Sequence, residues 1–307
     1  MYSQARALKL QTLLEMRTAA FAICAGCLCV TQAKLVPLSP PVVARWDFQD
    51  AAAPVQGWKD SVAGYVLRQH NTSSPVIVVE DGAVEGRRFS LEFARGRRLV
   101  ATRDSVPLLA NISGANARVS VVTWVKLLQP LSGGAFVGGV WEEDTAMRQY
   151  AIFMNHIARC PAKNGVVAHI SGEGGPSPNQ TYCESRACGA TSLPVNEWHC
   201  IANVYDGEHI YAYVNGTLDS QHSSAGVDQN NPFAYPNPPS FPTGGIYTPP
   251  QGKGANFALG ANFIHNGGGT GTGVLSNSFV GRIGGFVVAK DALARADIEQ
   301  ICRGPGH

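Results

Sequence analysis

The stretch 203–216 constrains the fold of this chain more than any other, because it contains two tight turns between strand-forming segments. Asp206-Gly207 and Asn215-Gly216 each stand between runs rich in β-branched and aromatic residues. Both dipeptides accept positive φ angles at little cost, so they are strong local signals for β-hairpins. The stretch therefore predicts antiparallel strands joined by tight turns.

Short strand-like runs recur along the rest of the chain, and no linker divides the series. Charged residues make up only 15% of the sequence, and 34 glycines and 19 prolines supply turns, which suits a β-sandwich. One short helix is expected over 291–302, where Leu293, Ile298 and Ile301 form an apolar edge. We predict one all-β domain over residues 34–307. The clearest runs are Val43–Phe48, Val119–Leu127, Tyr150–Asn155, Val166–Ile170 and Phe279–Ala289.

The first 33 residues have the pattern of a secretory signal peptide. Basic residues precede a short apolar run over 19–30, and Thr31-Gln32-Ala33 places small residues before a cleavage point after Ala33. The run is too short to span a bilayer comfortably, so no transmembrane segment is predicted. The pattern predicts a secreted, extracellular protein. An alternative is a lipid anchor on Cys27, in the lipoprotein-like sequence Cys24-Ala25-Gly26-Cys27.

Cysteines and glycosylation sequons fit an exported chain. Four cysteines, Cys160, Cys183, Cys188 and Cys200, lie close in sequence and predict two disulfides, with three pairings possible. Cys302 is either a buried thiol or a partner that changes this scheme. Acceptor sequons for N-glycosylation begin at Asn71, Asn111, Asn179 and Asn215.

Charge gives no support for nucleic-acid binding. The formal net charge of the whole chain is +2. The arginines between positions 87 and 98 alternate with apolar residues, which is typical of the solvated side of a hairpin rather than a basic patch.

Several segments together resemble the laminin G-like and concanavalin A-like domains of secreted proteins, including the pentraxin-like ones. The resemblance covers about residues 42–302 and implies an antiparallel two-sheet jelly roll, with sugar-binding or catalytic residues on the concave face or the rim loops. It also implies a structural Ca²⁺, for which Asp47 and Asp60 are the candidate ligands. The segments are Ala44–Phe48 with Asp60-Ser61, Val119–Leu127, Glu197–Gly216, Phe257–Gly260 and Phe279–Gly284.

Two inserts depart from the resemblance, the cysteine-rich segment 155–190 and the proline- and aromatic-rich segment 227–252. Aromatic faces with a few aimed polar groups recognise sugars. We therefore predict a non-catalytic carbohydrate-binding module whose partner is a polysaccharide or a glycoprotein. The candidate ligand-binding residues are Trp141, Arg148, Gln149, Tyr150, Asn155, Phe233, Tyr235 and Tyr247.

Three other activities on the same fold remain open. A glycosidase requires two suitably spaced carboxylates, but Glu142-Glu143-Asp144 lacks the Glu-x-Asp-x-x-Glu spacing of glucanases of this fold. An adhesive ectodomain with a protein partner fits the sequons and disulfides equally well. A polysaccharide lyase requires a cation and a histidine or tyrosine base. The residues for a lyase would be Arg148, His156, His169, Tyr182 and His199.

Overall fold

The computed structural model describes residues 41–70, 73–143, 145–156, 160–180, 183–221, 235–241, 244–264 and 274–304. The predicted signal peptide with Cys27, and also Asn71, Tyr182 and Phe233, lie outside the described residues. No helix in the described part of the chain is long and apolar enough to cross a membrane.

The described residues form mainly short β-strands. Two α-helices accompany them, α1 (Pro107–Ala110) and α2 (Arg295–Arg303). The strands are β1 (Val42–Trp46), β2 (Trp58–Lys59), β3 (Val66–Gln69), β4 (Ile77–Val79), β5 (Ser90–Phe93), β6 (Leu99–Ala101), β7 (Val119–Leu127), β8 (Ala135–Val140), β9 (Tyr150–Met154), β10 (Val166–Ile170), β11 (Arg186–Cys188), β12 (Trp198–Tyr205), β13 (Ile210–Val214), β14 (Thr217–Leu218), β15 (Phe257–Leu259), β16 (Asn262–Ile264), β17 (Val274–Ser276) and β18 (Gly281–Ala289).

The strands build two antiparallel eight-stranded sheets, which confirms the predicted all-β jelly-roll sandwich. Sheet I has the order β14-β13-β12-β7-β18-β5-β4, and β1 also pairs with β18. Sheet II has the order β11-β10-β9-β8-β15-β6-β3-β2. β16 and β17 form a separate small hairpin.

The two predicted tight turns join β12 to β13 and β13 to β14. Asp206 accepts hydrogen bonds from the backbone N–H groups of Glu208 and His209, which closes the first turn. Asn215 and Gly216 have φ angles of 51° and 80° in the second. The Asn-Gly pair therefore supplies the left-handed backbone that this turn requires.

The main core fills the space between the sheets. In β9, Tyr150, Ile152 and Met154 face that core, whereas Ala151 and Phe153 belong to a second apolar cluster on the other side of sheet II. We call the side of each sheet that faces away from the core its outer face. Every residue of β9 and β10 is buried, so both faces of sheet II are covered at this point.

Helix α2 covers the outer face of sheet I. Ile298 and Ile301 are buried against a cluster that includes Trp124 and Val287, as the apolar edge in the sequence predicts. A disulfide between Cys200 of β12 and Cys302 of α2, with a Cα–Cα distance of 5.5 Å, fixes the helix to the sheet.

The cysteine prediction is therefore corrected in one respect. The described residues contain two disulfides, but Cys302 is the partner of Cys200, and Cys183 is a buried free thiol. The other bridge joins Cys160 to Cys188. The reason is topological: Cys200 points to the outer face of sheet I, while the other three cysteines lie in the cluster on sheet II.

The predicted insert 155–190 is part of the scaffold. It supplies β10 and β11, which extend sheet II beyond β9. The Cys160–Cys188 disulfide connects the start of this segment to its last strand, with 5.4 Å between the Cα atoms. The insert therefore builds one end of the outer face of sheet II.

Candidate functional site

A cluster of aromatic rings lies on the outer face of sheet II, and we call it the histidine cluster. It consists of Trp141, Phe153, His156 and His169. The centroid of the His169 ring lies 5.1 Å from those of Trp141 and Phe153 and 5.3 Å from that of His156. Phe153 and His169 point outward because they alternate with core residues along β9 and β10.

His169 is the most deeply buried member that can titrate, with 2% of its surface exposed. Burial lowers its pKa well below the ordinary value of 6.5, and Arg186, His156 and Arg148 lower it further. Among the described residues, neither ring nitrogen of His169 has a hydrogen-bond partner. His169 is therefore neutral at physiological pH.

His156 is half-buried and contacts Arg186 of β11, whose Nη1 lies 3.0 Å from Nδ1 of the imidazole. A guanidinium has only donors, so Nδ1 must accept, and the single ring proton of His156 is on Nε2. A Cβ atom added to Gly134 would lie 2.9 Å from this Nε2. The edge of the imidazole that carries Nε2 thus packs closely against Gly134, in the loop that joins β7 to β8.

Arg186 itself is held by a buried carboxylate. Its Nη2 donates to Glu184 at 2.6 Å and to the carbonyl oxygen of Cys183 at 2.6 Å. The hydroxyl of Tyr235 donates to the same carboxylate, and the Arg186 guanidinium lies 5.0 Å from the Tyr235 ring centroid. Two separate segments of the chain therefore fix the cation that orients His156.

Two further ion pairs complete this face. Arg98 donates to Glu142 at 2.6 Å, and their side chains are 0% and 8% exposed. Arg148 donates through Nε to Glu143 at 2.7 Å, and the indole N–H of Trp141 donates to the other oxygen of Glu143 at 2.6 Å. Each of these carboxylates is thus neutralised by a guanidinium.

Next to the histidine cluster, a polar cavity of about 570 Å³ opens between the loop that joins β7 to β8 and the segment that joins β17 to β18. The only charged group among its described lining residues is Arg95. The lining residues are Arg95, Gln129, Pro130, Leu131, Ser132, Gly133, Gly134, Leu275, Ser276, Asn277, Ser278 and Val280.

Hydrogen bonds fix both walls of the polar cavity. Asn155, with a φ of 59°, donates to the carbonyl oxygens of Leu131 and Gly133 at 2.9 and 3.1 Å. On the opposite wall, the backbone carbonyl oxygen of Asn277 accepts a hydrogen bond from the backbone N–H of Phe136 at 2.6 Å. The hydroxyl of Ser278 accepts from the N–H of Gly96, which attaches the turn that carries Arg95.

The family model described as the concanavalin A-like lectin/glucanases superfamily matches residues 100–299. The match spans more than half of the chain and includes the histidine cluster. The chain belongs to this superfamily.

One solved structure shows the same fold as this concanavalin A-like domain, and others are more distantly similar. Domain 4 of AbnA, a GH43 extracellular arabinanase from Geobacillus stearothermophilus solved with arabinotriose, is 15% identical with a TM-score of 0.51, covering 86% of this chain and 99% of that domain. The binding domain of Paraclostridial Mosquitocidal Protein 1 and the receptor binding domain of botulinum neurotoxin type G are each 11% identical with TM-scores of 0.49. Their matches cover 85% of this chain and 52% and 51% of theirs. No curated protein sequence matches the chain significantly.

Of the predicted ligand-binding residues, the concanavalin A-like domain brings Trp141, Arg148 and Tyr235 to the outer face of sheet II, all at least 95% buried. Tyr150 points into the core and donates to the carbonyl oxygen of Leu109. The others are engaged within the protein as well. Gln149 donates to Ala110 and Ile112, Asn155 supports the cavity loop, and Tyr247 is half-buried with its hydroxyl 3.9 Å from the sulfur of Met147.

The predicted lyase residues do not converge as a set. His156, His169 and Arg148 lie on the outer face of sheet II. His199 shares the inner side of β12 with Ile201, so it lies between the two sheets. The pKa of His199 is lowered by burial.

The proposed calcium ligands of the concanavalin A-like domain are engaged by other groups. Asp47 pairs with Arg45 at 3.0 Å and with Arg87 at 2.5 Å. Asp60 accepts the N–H groups of Val62 and Ala63 in its own turn. Within the described residues, no three histidine, cysteine or acidic side chains converge as a metal site. The geometry does not favour calcium at Asp47 and Asp60, and calcium binding stays a prediction.

Sequence reasoning did not find the polar cavity, because its walls come from three distant segments. One signal was available in the sequence. The run Gln129-Pro-Leu-Ser-Gly-Gly134 begins two residues after the end of the long buried strand β7, and Ser276-Asn-Ser278 lies three residues before the start of β18 at Gly281. Polar, glycine-rich segments at strand ends are typical of binding loops.

Proposed function

We propose that the mature chain is a secreted carbohydrate-binding domain whose ligand occupies the polar cavity beside the histidine cluster. The observation that carries this proposal is the cavity itself, because hydroxyl and amide groups line it, its walls are preorganised, and it lies at the edge of the outer face of sheet II. Its volume of about 570 Å³ is within the range of small-molecule sites.

The lining chemistry suits a sugar with an acidic group. Gln129, Ser132 and Ser276 can both donate and accept hydrogen bonds, as the hydroxyls of a sugar require. Arg95 is exposed, and within the described residues no carboxylate forms an ion pair with it. A guanidinium binds carboxylate or sulfate in a bidentate manner. We infer an oligosaccharide that carries carboxylate or sulfate groups.

Two further observations support the proposal. Domain 4 of AbnA shares the fold and was solved with arabinotriose. Two disulfides indicate an oxidising compartment, which agrees with secretion.

The geometry supports binding rather than catalysis. Glycosidases use one carboxylic acid as a proton donor, whereas Glu142, Glu143 and Glu184 are each paired with an arginine. A lyase based on His156 requires an unprotonated ring nitrogen to take the substrate proton. Nδ1 of His156 accepts from Arg186, and Nε2 already carries a proton.

A glycan array with wild-type protein and four variants tests the proposal. Arg95→Gln removes the cation, and Ser132→Ala and Ser276→Ala remove one hydroxyl from each wall. Arg88→Gln is the matched control, because Arg88 is also exposed but pairs with Glu80 away from the cavity. We expect binding to acidic glycans that falls at least tenfold with Arg95→Gln and is unchanged with Arg88→Gln.

Two results would contradict the proposal. One is the absence of binding by wild-type protein to any glycan on the array. The other is binding by all four variants that equals the binding by wild type. Incubation of the same acidic polysaccharides with the protein, followed by absorbance of unsaturated products, tests the lyase alternative. Turnover that is lost in His156→Ala would show that the protein is an enzyme.

A further inference from the structure

A second depression lies on the opposite side of the molecule, on the outer face of sheet I. We call it the tryptophan groove. It has a volume of about 380 Å³ and is bordered by helix α2 and the Cys200–Cys302 disulfide. Its lining residues are Ala83, Val84, Trp124, Trp198, Cys200, Asn215, Glu299, Cys302 and Arg303.

Trp198 forms a fixed platform in this groove. Its indole N–H donates to Asp81 at 3.1 Å, and Asp81 is held in turn by Lys126 at 3.0 Å and by Arg282. The chain has five tryptophans. The other four are at most 2% exposed, whereas Trp198 is only partly buried. One indole therefore remains accessible to a ligand in the groove.

Asn215 lines the groove and begins the sequon Asn215-Gly216-Thr217. The sequon occupies the turn between β13 and β14, where Asn215 and Thr217 are both exposed. Oδ1 of Asn215 accepts the backbone N–H of Cys200 at 3.0 Å. This bond uses the oxygen and leaves Nδ2, the atom that is glycosylated in a sequon, available at the groove.

We propose that Asn215 carries an N-linked glycan and that its first sugar packs on Trp198 in the tryptophan groove. In the reaction, Nδ2 loses a proton and bonds to C1 of an oligosaccharide, which leaves its lipid-diphosphate carrier. The apolar face of a sugar ring packs on an indole, and burial of this surface stabilises the folded state. The glycan would thus cover an apolar groove that the polypeptide leaves open.

The two other sequon asparagines that the structure describes, Asn111 and Asn179, lie outside the tryptophan groove. Oδ1 of Asn111 accepts from Arg103 at 3.4 Å, and neither Asn111 nor Asn179 is among the residues that line the tryptophan groove. Among the sequon asparagines that the structure describes, Asn215 alone therefore lies beside an accessible indole. The proposal rests on passage through a eukaryotic secretory pathway and is independent of carbohydrate binding at the polar cavity.

The test is expression of the full chain in a mammalian host and mass mapping of the peptide that contains residue 215. Thr217→Ala removes the sequon but keeps Asn215, whereas Thr217→Ser keeps the sequon and is the matched control. Ser113→Ala removes the sequon at Asn111 instead. Acrylamide quenching of tryptophan fluorescence reports on Trp198, because the other four indoles are buried.

We expect a glycan on Asn215 in wild type and in Thr217→Ser, and none in Thr217→Ala. Thr217→Ala should show about twofold stronger quenching and a Tm lower by roughly 2–4 °C, the shift that follows from losing about 1 kcal/mol in a domain of this size. Ser113→Ala should change neither quantity. Unmodified Asn215 in secreted or retained protein would overturn the proposal, as would a glycan whose loss leaves quenching unchanged. Either result leaves binding of acidic glycans at Arg95 to be judged separately.

Discussion

Arg186 and His156 meet through nitrogen atoms, with Nη1 of the guanidinium 3.0 Å from Nδ1 of the imidazole. A protonated Nδ1 could not accept this contact. The pair therefore sets the tautomer of a histidine that packs against Gly134 in the wall of the polar cavity, and it makes Nδ1 of His156 unavailable as a base.

We predict that His156 is protonated on Nε2 and unprotonated on Nδ1 at pH 7. Long-range ¹H–¹⁵N spectra of histidine-labelled protein distinguish the two nitrogens. Arg186→Gln removes the guanidinium, and the spectrum should then show a mixture of tautomers. A wild-type spectrum with the proton on Nδ1 would contradict the assignment.

A second prediction concerns stability in mild acid. Burial holds the pKa of His169 well below 6.5, so the unfolded chain binds a proton at a higher pH than the folded chain. The free energy of unfolding should therefore decrease as the pH falls below 6.5, with a contribution from His169 approaching about 1.4 kcal/mol per pH unit. Urea unfolding between pH 7 and 5 measures this slope.

The control for this prediction is His169→Gln. His70 and His199 also have lowered pKa values, so part of the slope should remain in the variant. We expect the slope of the unfolding free energy against pH to be smaller in His169→Gln by an amount approaching the contribution of one proton, about 1.4 kcal/mol per pH unit. This difference does not depend on the absolute stability of the variant. The same slope in both proteins would show that His169 is not a buried neutral group.

The Arg98–Glu142 ion pair gives a third prediction. Both side chains are buried, so Arg98→Met alone should lower the free energy of unfolding by about 3–5 kcal/mol, because it leaves a buried carboxylate without this guanidinium. The double variant Arg98→Met/Glu142→Leu should recover most of the loss. Chemical denaturation of both variants measures these free energies. The exposed pair Arg88–Glu80 is the comparison, and removing it should not measurably change the free energy of unfolding. Additive losses in the double variant would contradict it.

The fourth prediction concerns the cysteines. The Cys200–Cys302 disulfide spans 102 residues, so Cys200→Ser/Cys302→Ser should lower the free energy of unfolding by about 4 kcal/mol. Wild-type protein expressed without its first 33 residues should react with a maleimide only after it has been unfolded in the absence of reductant. The thiol that reacts should be Cys183, which is buried in the fold. Labelling of Cys302 instead of Cys183 would show a different pairing.

The sequence was sufficient for the parts of the fold that depend on local chemistry. Asp206-Gly207 and Asn215-Gly216 mark the two turns around β13, and the β-branched run Val119–Leu127 forms the central strand β7. The apolar edge of α2 was also visible, because Ile298 and Ile301 recur with helical spacing.

The candidate site was not visible to the same extent. Five consecutive residues are buried in β9, so no polar alternation distinguishes Tyr150, which faces the core, from Phe153, which faces outward. Cys302 is far from Cys200 in sequence, and only the position of α2 on sheet I brings them together. The polar cavity likewise depends on contacts between distant segments, such as the bond from Gly96 to Ser278.

The most direct test of the central claim is an NMR titration of ¹⁵N-labelled wild-type protein with the acidic oligosaccharide that binds best on the array. We predict amide shift changes concentrated at residues 95–96, 129–134 and 275–280, together with weaker binding as the salt concentration rises. Saturable shifts confined to the tryptophan groove, or no saturable shifts at all, would contradict a carbohydrate site in the polar cavity.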